Sequence, residues 1–166
     1  MYITVFSLFV TLVFGAIVIY AFPEQLDRRG ASSIEHTAYA EAQLLGDLLP
    51  VVHQAAQRFV AANLGVTGSI APASVETFLP ASFQAAPRFE SQALANGAVL
   101  TRIRAPEGRE DQVAIAVRAN RAYRADGVGI VRGGLIFSPV YGQRVSVPPG
   151  LIADEGEVVI YSPRLP

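Results

Sequence analysis

An uncharged apolar run near the start of the chain constrains the fold more than any other feature of this sequence. No Asp, Glu, Lys or Arg occurs from Tyr2 to Phe22, a run of 21 residues. A helix of that length spans roughly 31 Å, close to the hydrocarbon core of a bilayer. Tyr2 and Tyr20 lie near the two ends, where aromatic rings suit the membrane interface, and Pro23 ends the run. The run therefore predicts a transmembrane helix over residues 2–22.

Three other interpretations of this run fit the residues less well. A cleaved secretory signal begins with basic residues and ends at a small-residue site, but no cation precedes the run and Tyr20-Ala21-Phe22 is a poor site. A type IV prepilin leader has a glutamate soon after a glycine, whereas no acid follows Gly15 before Glu24. A buried core helix would be unusual as the first segment of a chain of 166 residues.

The composition excludes several classes of protein. The chain has no cysteine, which excludes disulfides, cysteine-ligated zinc and iron–sulfur clusters. All 13 cationic side chains are arginine, so P-loop and Schiff-base lysines are excluded as well. The net charge of −1 argues against a nucleic-acid partner, because such proteins carry a basic surface.

Residues 32–63 have the pattern of one long amphipathic helix. Ser32-Ser33-Ile34-Glu35 offers a capping box at its start. Pro50 is expected to kink or divide the helix, and Asn63 and Gly65 to end it. The apolar residues recur at three- and four-residue steps and form the stripe that should be buried, namely Ile34, Ala38, Leu45, Leu48, Leu49, Val52, Ala55 and Phe59.

After Gly97 the apolar pattern changes to alternation, which predicts antiparallel strands. Residues 65–97 are predicted to be loop-rich, with one short helix at Ser74–Leu79 capped by Ser74. Gly133-Gly134 predicts a two-residue hairpin turn. The predicted strands are Ala98–Ala105, Gln112–Arg118, Val128–Arg132, Leu135–Phe137 and Glu157–Tyr161.

Together these elements predict an α+β fold. An N-terminal transmembrane helix is followed by a long amphipathic helix packed on an antiparallel sheet of four or five strands, in a pilin-like arrangement. The predicted divisions of the chain are a transmembrane anchor at 1–22, a juxtamembrane linker at 23–31, and a folded α+β domain at 32–166.

No group of residues predicts a catalytic, cofactor or metal site, and we expect a protein that is not an enzyme. His36 and His53 would lie about 25 Å apart along one helix, too far to share a metal, and both are expected to be exposed. The glycines of Gly127–Gly133 are spaced one residue too widely for a dinucleotide-binding motif, which favours the hairpin.

Two groups of charged residues beyond the long helix stand out in the sequence. Glu107, Arg109, Glu110 and Asp111 are expected to occupy a solvated turn. The second group consists of five arginines, which either contact an acidic partner or form the solvent-exposed face of the sheet. Both interpretations stay open for Arg102, Arg104, Arg118, Arg121 and Arg124.

The C-terminal third resembles one known family. It reads Val128-Gly129-Ile130-Val131-Arg132-Gly133-Gly134-Leu135-Ile136-Phe137-Ser138-Pro139, then Gly142, then Val147-Pro148-Pro149-Gly150, then Glu157-Val158-Val159-Ile160. This pattern resembles the small PilM proteins of type IVb and conjugative thin-pilus systems, which are distinct from the actin-like ATPases that share the name.

The resemblance implies an inner-membrane component of a pilus assembly machine, acting in pilin transport or as a basal-body scaffold, with other assembly proteins or pilins as partners. It implies no catalytic residue and no cofactor, and a homo-oligomer stays open. The alternative is a minor pilin that enters the fibre. The resemblance also implies a single pass with a periplasmic C-terminal domain, whereas Arg28 and Arg29 alone would favour the cytoplasm for that side.

Overall fold

The computed structural model describes residues 39–80, 88–103, 109–123 and 127–163. The predicted membrane span at 2–22, the linker at 23–31 and the capping box at Ser32–Glu35 lie outside these residues, so the predicted divisions of the chain are not tested.

Three helices occur in the described part of the chain. Helix α1 covers residues 39–62, with Pro50 inside it and helical residues on both sides. It ends where the Asn63 side-chain amide donates to the Phe59 carbonyl oxygen at 2.9 Å, and Gly65 follows with a φ of 89°. Helix α2 is Pro72–Glu76 and helix α3 is Arg109–Tyr123. The N-cap of α2 is Ala71, not Ser74 as predicted, and Pro72 occupies the first turn.

Seven strands form one antiparallel sheet in the order β1-β2-β3-β7-β4-β5-β6. Strand β7 pairs with β3 on one side and with β4 on the other, which places the last strand of the chain at the centre. The outer strands among the described residues are β1 and β6. The strands are β1 Gly68–Ile70, β2 Phe89–Ala93, β3 Val99–Ile103, β4 Val128–Arg132, β5 Leu135–Phe137, β6 Arg144–Ser146 and β7 Val158–Ser162.

The helices cover one face of the sheet, which we call the helix face. Alternating strand residues point to that face, so Val99, Thr101 and Ile103 of β3 are buried beneath the helices while Leu100 faces the other way. The helices contribute Leu45, Leu49, Val52, Ala56, Val60, Ile115, Ala116 and Ala119 to the core, together with Val75 from α2.

The segment 147–157 covers the opposite face. Leu151 packs there against Leu100, Val131, Ile136 and Val159 in a second hydrophobic cluster. The Gln92 side chain fixes the segment, because its Nε2 donates to the Ile152 carbonyl at 3.1 Å and its Oε1 accepts from the Ile152 amide at 2.9 Å. The central strands are therefore buried on both faces.

The predicted fold class is wrong in its sheet and in one helix. The sheet has seven strands, not four or five, because β1 and β2 arise in the segment predicted to be loop-rich and β6 arises where no element was predicted. The predicted strand Gln112–Arg118 lies inside α3, and the charged residues Arg109, Glu110 and Asp111 begin that helix instead of forming a turn. The alternation of Val113, Ile115 and Val117 is too short to distinguish a strand from a helix. In the helix, Ile115, Ala116 and Ala119 form the buried face.

The predicted hairpin is confirmed with both of its strands at the predicted bounds. Ile130 pairs with Phe137 and Arg132 with Leu135. Gly133 and Gly134 have φ values of 55° and 74°, the two positive values that a type I′ turn requires. The glycine pattern around residues 127–133 therefore builds a hairpin and not a nucleotide-binding turn.

The expectation of a single-pass inner-membrane protein is contradicted. None of the helices in the described ranges combines the length and the apolar character needed to cross a bilayer. The described residues therefore do not support a single-pass localisation, and the predicted span itself, residues 2–22, falls outside them.

Close packing of backbones explains why Gly129 lies within β4. A Cβ atom at this position would stand 2.3 Å from the Phe137 carbonyl oxygen and 2.6 Å from the Phe137 carbonyl carbon. Because both are backbone atoms, the strands would have to separate.

We expect Gly129→Ala to lower the free energy of unfolding by about 2–3 kcal/mol, the cost of overpacking a core, as measured by urea denaturation.

A matched control is Gly133→Asn. Gly133 has open space around its Cα and a left-handed φ that asparagine adopts readily. This variant should stay within about 0.5 kcal/mol of the wild type, in the range of most surface substitutions. Equal losses in both variants would show that glycine is required at 129 for a reason other than close approach.

Candidate functional site

The most unusual feature of the core is a line of polar side chains between the helices and the sheet. Six residues form this buried polar cluster: Ser91, Thr101, His53, Ser162, Tyr123 and Gln57. His53 is at its centre and is completely buried on α1. The expectation that His53 is an exposed helix residue is wrong, and His36 lies outside the described residues.

Each member of the cluster contacts the next at hydrogen-bond distance. His53 Nδ1 lies 3.0 Å from Thr101 Oγ1, and His53 Nε2 lies 2.8 Å from Ser162 Oγ. Thr101 Oγ1 is 3.1 Å from Ser91 Oγ, and Ser162 Oγ is 3.0 Å from the Tyr123 hydroxyl. The His53 and Tyr123 rings also meet edge to face, with centroids 5.2 Å apart.

The Gln57 contact favours one direction of donation along this line. Gln57 Nε2 donates to the Tyr123 hydroxyl at 3.1 Å, which leaves the tyrosine proton for Ser162. Ser162 then donates to His53 Nε2, and His53 Nδ1–H donates to Thr101. In the reverse order the tyrosine proton would have no acceptor within the cluster, as the Ser91 proton has none in the first order. We take the order that begins with donation by Gln57, which assigns the neutral Nδ1–H tautomer to His53.

Burial controls the charge of His53. It lowers the pKa of this imidazole from the usual 6.5 to about 3. The neutral ring matches the assigned directions, because Nε2 must accept a proton from Ser162 and cannot do so when it is protonated. No carboxylate contacts either ring nitrogen among the described residues, so nothing there compensates a positive charge.

The contact between Ser162 and His53 superficially resembles a nucleophile with its general base. Catalytic pairs of this kind need access for a substrate and a group that orients the base, often a carboxylate. Here His53 has no exposed surface, Ser162 retains 7% exposure, and the other ring nitrogen meets Thr101. The cluster therefore joins α1 and α3 to strands β2, β3 and β7, which is a structural task.

The predicted arginine group does not form one patch. Arg102 lies on the face opposite the helices, where it pairs with Glu90 and with Glu157 Oε2 at 3.1 Å. Burial alone would lower the pKa of Arg102, but hydrogen bonds and the negative charges of Glu90 and Glu157 raise it. Arg104 and Arg124 lie outside the described residues. Arg121 is exposed on α3.

Arg118 joins the two long helices. Its Nε donates to Asp47 Oδ1 at 2.6 Å and its Nη2 donates to Asp47 Oδ2 at 3.0 Å, which makes a bidentate salt bridge between α3 and α1. This pairing raises the pKa of Arg118. Gly46 lies beside it, where a Cβ would stand 2.6 Å from Arg118 Cβ, so glycine allows the helices to approach.

A surface concavity opens on the helix face beyond the helices. Arg132, Leu135, Phe137 and Arg144 line a space of about 300 Å³ at the β4–β5–β6 end of the sheet. The Arg132 guanidinium carbon lies 5.8 Å from the centre of the Phe137 ring, a cation–π contact. No sequence pattern had identified these residues as a site, because each occurs singly within a predicted strand or loop.

The described residues do not contain three His, Asp or Glu side chains grouped as metal ligands. Two of their cations without a salt bridge, Arg132 and Arg144, lie together at the β4–β5–β6 end of the sheet. The described residues thus form an α+β domain with layers on both faces of its sheet and an open cationic surface at one end.

Comparison with known proteins gives the family. The PilM family model matches residues 18–161, most of the chain, and the chain belongs to the PilM family. A crystal structure of a protein assigned as PilM from Pseudomonas aeruginosa 2192 is 22% identical, with a TM-score of 0.39, and the match covers 74% of this chain and 96% of that one. A TM-score of this size is too low to define a shared fold. No curated protein matches the sequence. The membership confirms the resemblance found in the sequence and links the chain to pilus biogenesis.

The buried imidazole predicts a pH dependence of stability. Between about pH 3 and pH 6.5 the unfolded chain holds a proton on His53 that the folded chain does not. Unfolding therefore takes up a proton, and stability falls as the pH is lowered through this window, by up to about 1.4 kcal/mol per pH unit. Above pH 6.5 this residue should contribute no slope.

Urea denaturation of the full-length protein from pH 4 to pH 6 measures this slope. His53→Gln should lower this slope by the equivalent of about one proton taken up on unfolding. The carboxylates and His36 are the same in both proteins, so their contributions cancel. Ser162→Ala retains the buried imidazole and should keep the slope, although it is less stable. A slope that is equal in the wild type and in His53→Gln would contradict the burial of a neutral histidine.

Proposed function

We propose that this protein is a non-enzymatic component of a type IVb pilus assembly machine, which acts by binding other assembly proteins or pilins. Membership of the PilM family supports the pilus role. The proposal of a type IVb system rests on the C-terminal residues 128–160, which resemble the small PilM proteins of such systems.

One observation carries the non-enzymatic part of the proposal. The Ser162–His53 contact is the arrangement that most resembles catalytic machinery in the described residues, and it is closed inside the core. Its hydrogen bonds are all used in holding helices on the sheet. A contact closed in this way supports a protein that acts through its surfaces, as a scaffold would.

Complementation in the native host tests the two parts of the proposal separately. Deletion of the gene should abolish surface pili, and the wild-type gene should restore them, as counted by electron microscopy. Normal piliation in the deletion strain would contradict a role in pilus biogenesis.

Substitutions in the buried pair then test catalysis. Ser162→Ala should lower the free energy of unfolding by about 1–3 kcal/mol, because it leaves buried groups unpaired, yet should still support pili when the protein accumulates to wild-type levels. His53→Asn removes the other partner and serves as an independent variant. Loss of pili in both variants, with each folded and abundant, would show that the pair has a chemical role.

Sheared pili distinguish an assembly component from the alternative, a minor pilin. An assembly component should remain with the cells after shearing, as measured by immunoblotting. Recovery of the protein in the purified fibre fraction at a constant ratio to the major pilin would show that it is a fibre subunit.

A further inference from the structure

The helices that the structure describes cover the helix face of the sheet as far as β4. Val128 and Ile130 of β4 are completely buried, and α3 packs on β4 and β7. On the same face beyond them, Leu135 and Phe137 of β5 are half-buried and Arg144 of β6 is exposed. This uncovered end holds the concavity of about 300 Å³ described above.

Two cations line this concavity around an apolar floor. Arg132 lies over the Phe137 ring, and Arg144 is the direct cross-strand neighbour of Phe137 on β6. None of the described carboxylates forms a salt bridge with either guanidinium. Leu135, the cross-strand partner of Arg132, completes the apolar floor. The chemistry therefore fits a ligand that combines carboxylates with apolar side chains.

The adjacent edge of the sheet favours an extended peptide. Ser138 N donates to the Gln143 carbonyl and Val147 N to the Gly134 carbonyl, so the register makes Ile136 and Val145 the hydrogen-bonded pair between them. The amides and carbonyls of Arg144 and Ser146 consequently point away from β5. No described strand pairs with this side of β6.

We infer that the edge of β6 and the concavity beside it bind an extended acidic segment of a partner protein. The segment pairs with Arg144 and Ser146 through its backbone, as an added antiparallel or parallel strand. Its alternate side chains lie on the helix face, where carboxylates meet Arg144 and Arg132 and an apolar side chain contacts Phe137. This inference names a partner chemistry for the proposed assembly role and rests on that role.

Two features favour a peptide over other anions. A free edge strand offers backbone hydrogen bonds that a phosphate or a lipid headgroup cannot use in register. The chain also carries a net charge of −1, so long-range attraction does not favour a polyanion such as nucleic acid. Local complementarity, and not overall charge, is expected to select the ligand.

Fluorescence anisotropy with the full-length protein tests the inference. The probe is a fluorescein-labelled heptapeptide, Thr-Glu-Thr-Phe-Thr-Glu-Thr, whose two glutamates and phenylalanine share one face of an extended strand, and the control peptide has glutamine in place of each glutamate. The acidic peptide should bind, and binding should weaken when salt screens the exposed charges. The glutamine peptide should bind about tenfold more weakly, because the charged contacts to Arg132 and Arg144 are both lost.

Variants of the protein locate the site. Arg132→Gln and Arg144→Gln should each weaken binding roughly fivefold, in line with the loss of one exposed charge pair. Arg58→Gln is the matched control, since Arg58 is an exposed arginine on α1. It should leave binding unchanged. Equal effects of all three substitutions would overturn the inference, because they would indicate non-specific attraction.

Ser146→Pro tests the strand pairing without removing either cation. The Ser146 amide points away from β5, so proline keeps the β5–β6 hydrogen bonds and is tolerated on an edge strand. Binding should fall about tenfold or more while the melting temperature stays near the wild-type value. Unchanged binding in a folded Ser146→Pro protein would overturn the added strand.

A final comparison separates this inference from its alternatives. Vesicles containing phosphatidylglycerol that bind through Arg132 and Arg144, without peptide binding, would assign the surface to a lipid headgroup and overturn the inference. If peptide binding fails while the complementation experiment still shows loss of pili on deletion, the proposed function stands and this surface is wrong.

Discussion

Burial of the central strand on both faces is the constraint on which the rest of the structure depends. Val158, Val159 and Ile160 of β7 have no exposed surface, although their side chains alternate between the two faces. A strand of this kind needs a layer on each side. The helices provide one layer, and the segment 147–157 provides the other with Leu151 and the paired backbone of Ile152.

The buried polar cluster follows from the same constraint. Where α1 crosses the sheet, the helix face carries Ser91, Thr101 and Ser162 in place of larger apolar residues, and these hydroxyls need partners in the interior. His53 satisfies two of them at once because its two ring nitrogens can donate and accept in opposite directions. Tyr123 and Gln57 extend the line and tie α3 to the same point. The cost of a neutral buried histidine is thereby offset by hydrogen bonds, and the position of α1 on the sheet becomes specific in a way that apolar contacts alone would not ensure.

The strands that could be predicted from sequence are those whose residues obey a simple rule. Glycine at both turn positions defined the β4–β5 hairpin, and alternation of Val99, Thr101 and Ile103 defined β3. Strand β2 could not be found in this way, because its inward positions are Phe89, Ser91 and Ala93 and the polar one is explained only by its contact with Thr101. His53 was misjudged for the same reason. Polar neighbours in sequence indicated solvent, whereas its true partners are 48 and 109 residues away along the chain.

The arginines show why a surface is harder to predict than a core. Grouped by sequence, Arg102 and Arg118 suggested one patch, but they lie on opposite faces and each is neutralised by acids from distant segments. Arg132 and Arg144 are separated by a turn and a loop, and only the register of β4, β5 and β6 brings them to one face beside Phe137. Core positions are selected by local apolar periodicity, which a sequence displays directly. An open cationic surface depends on which unpaired charges the folded sheet brings together on one face, and that is fixed only when the sheet is complete.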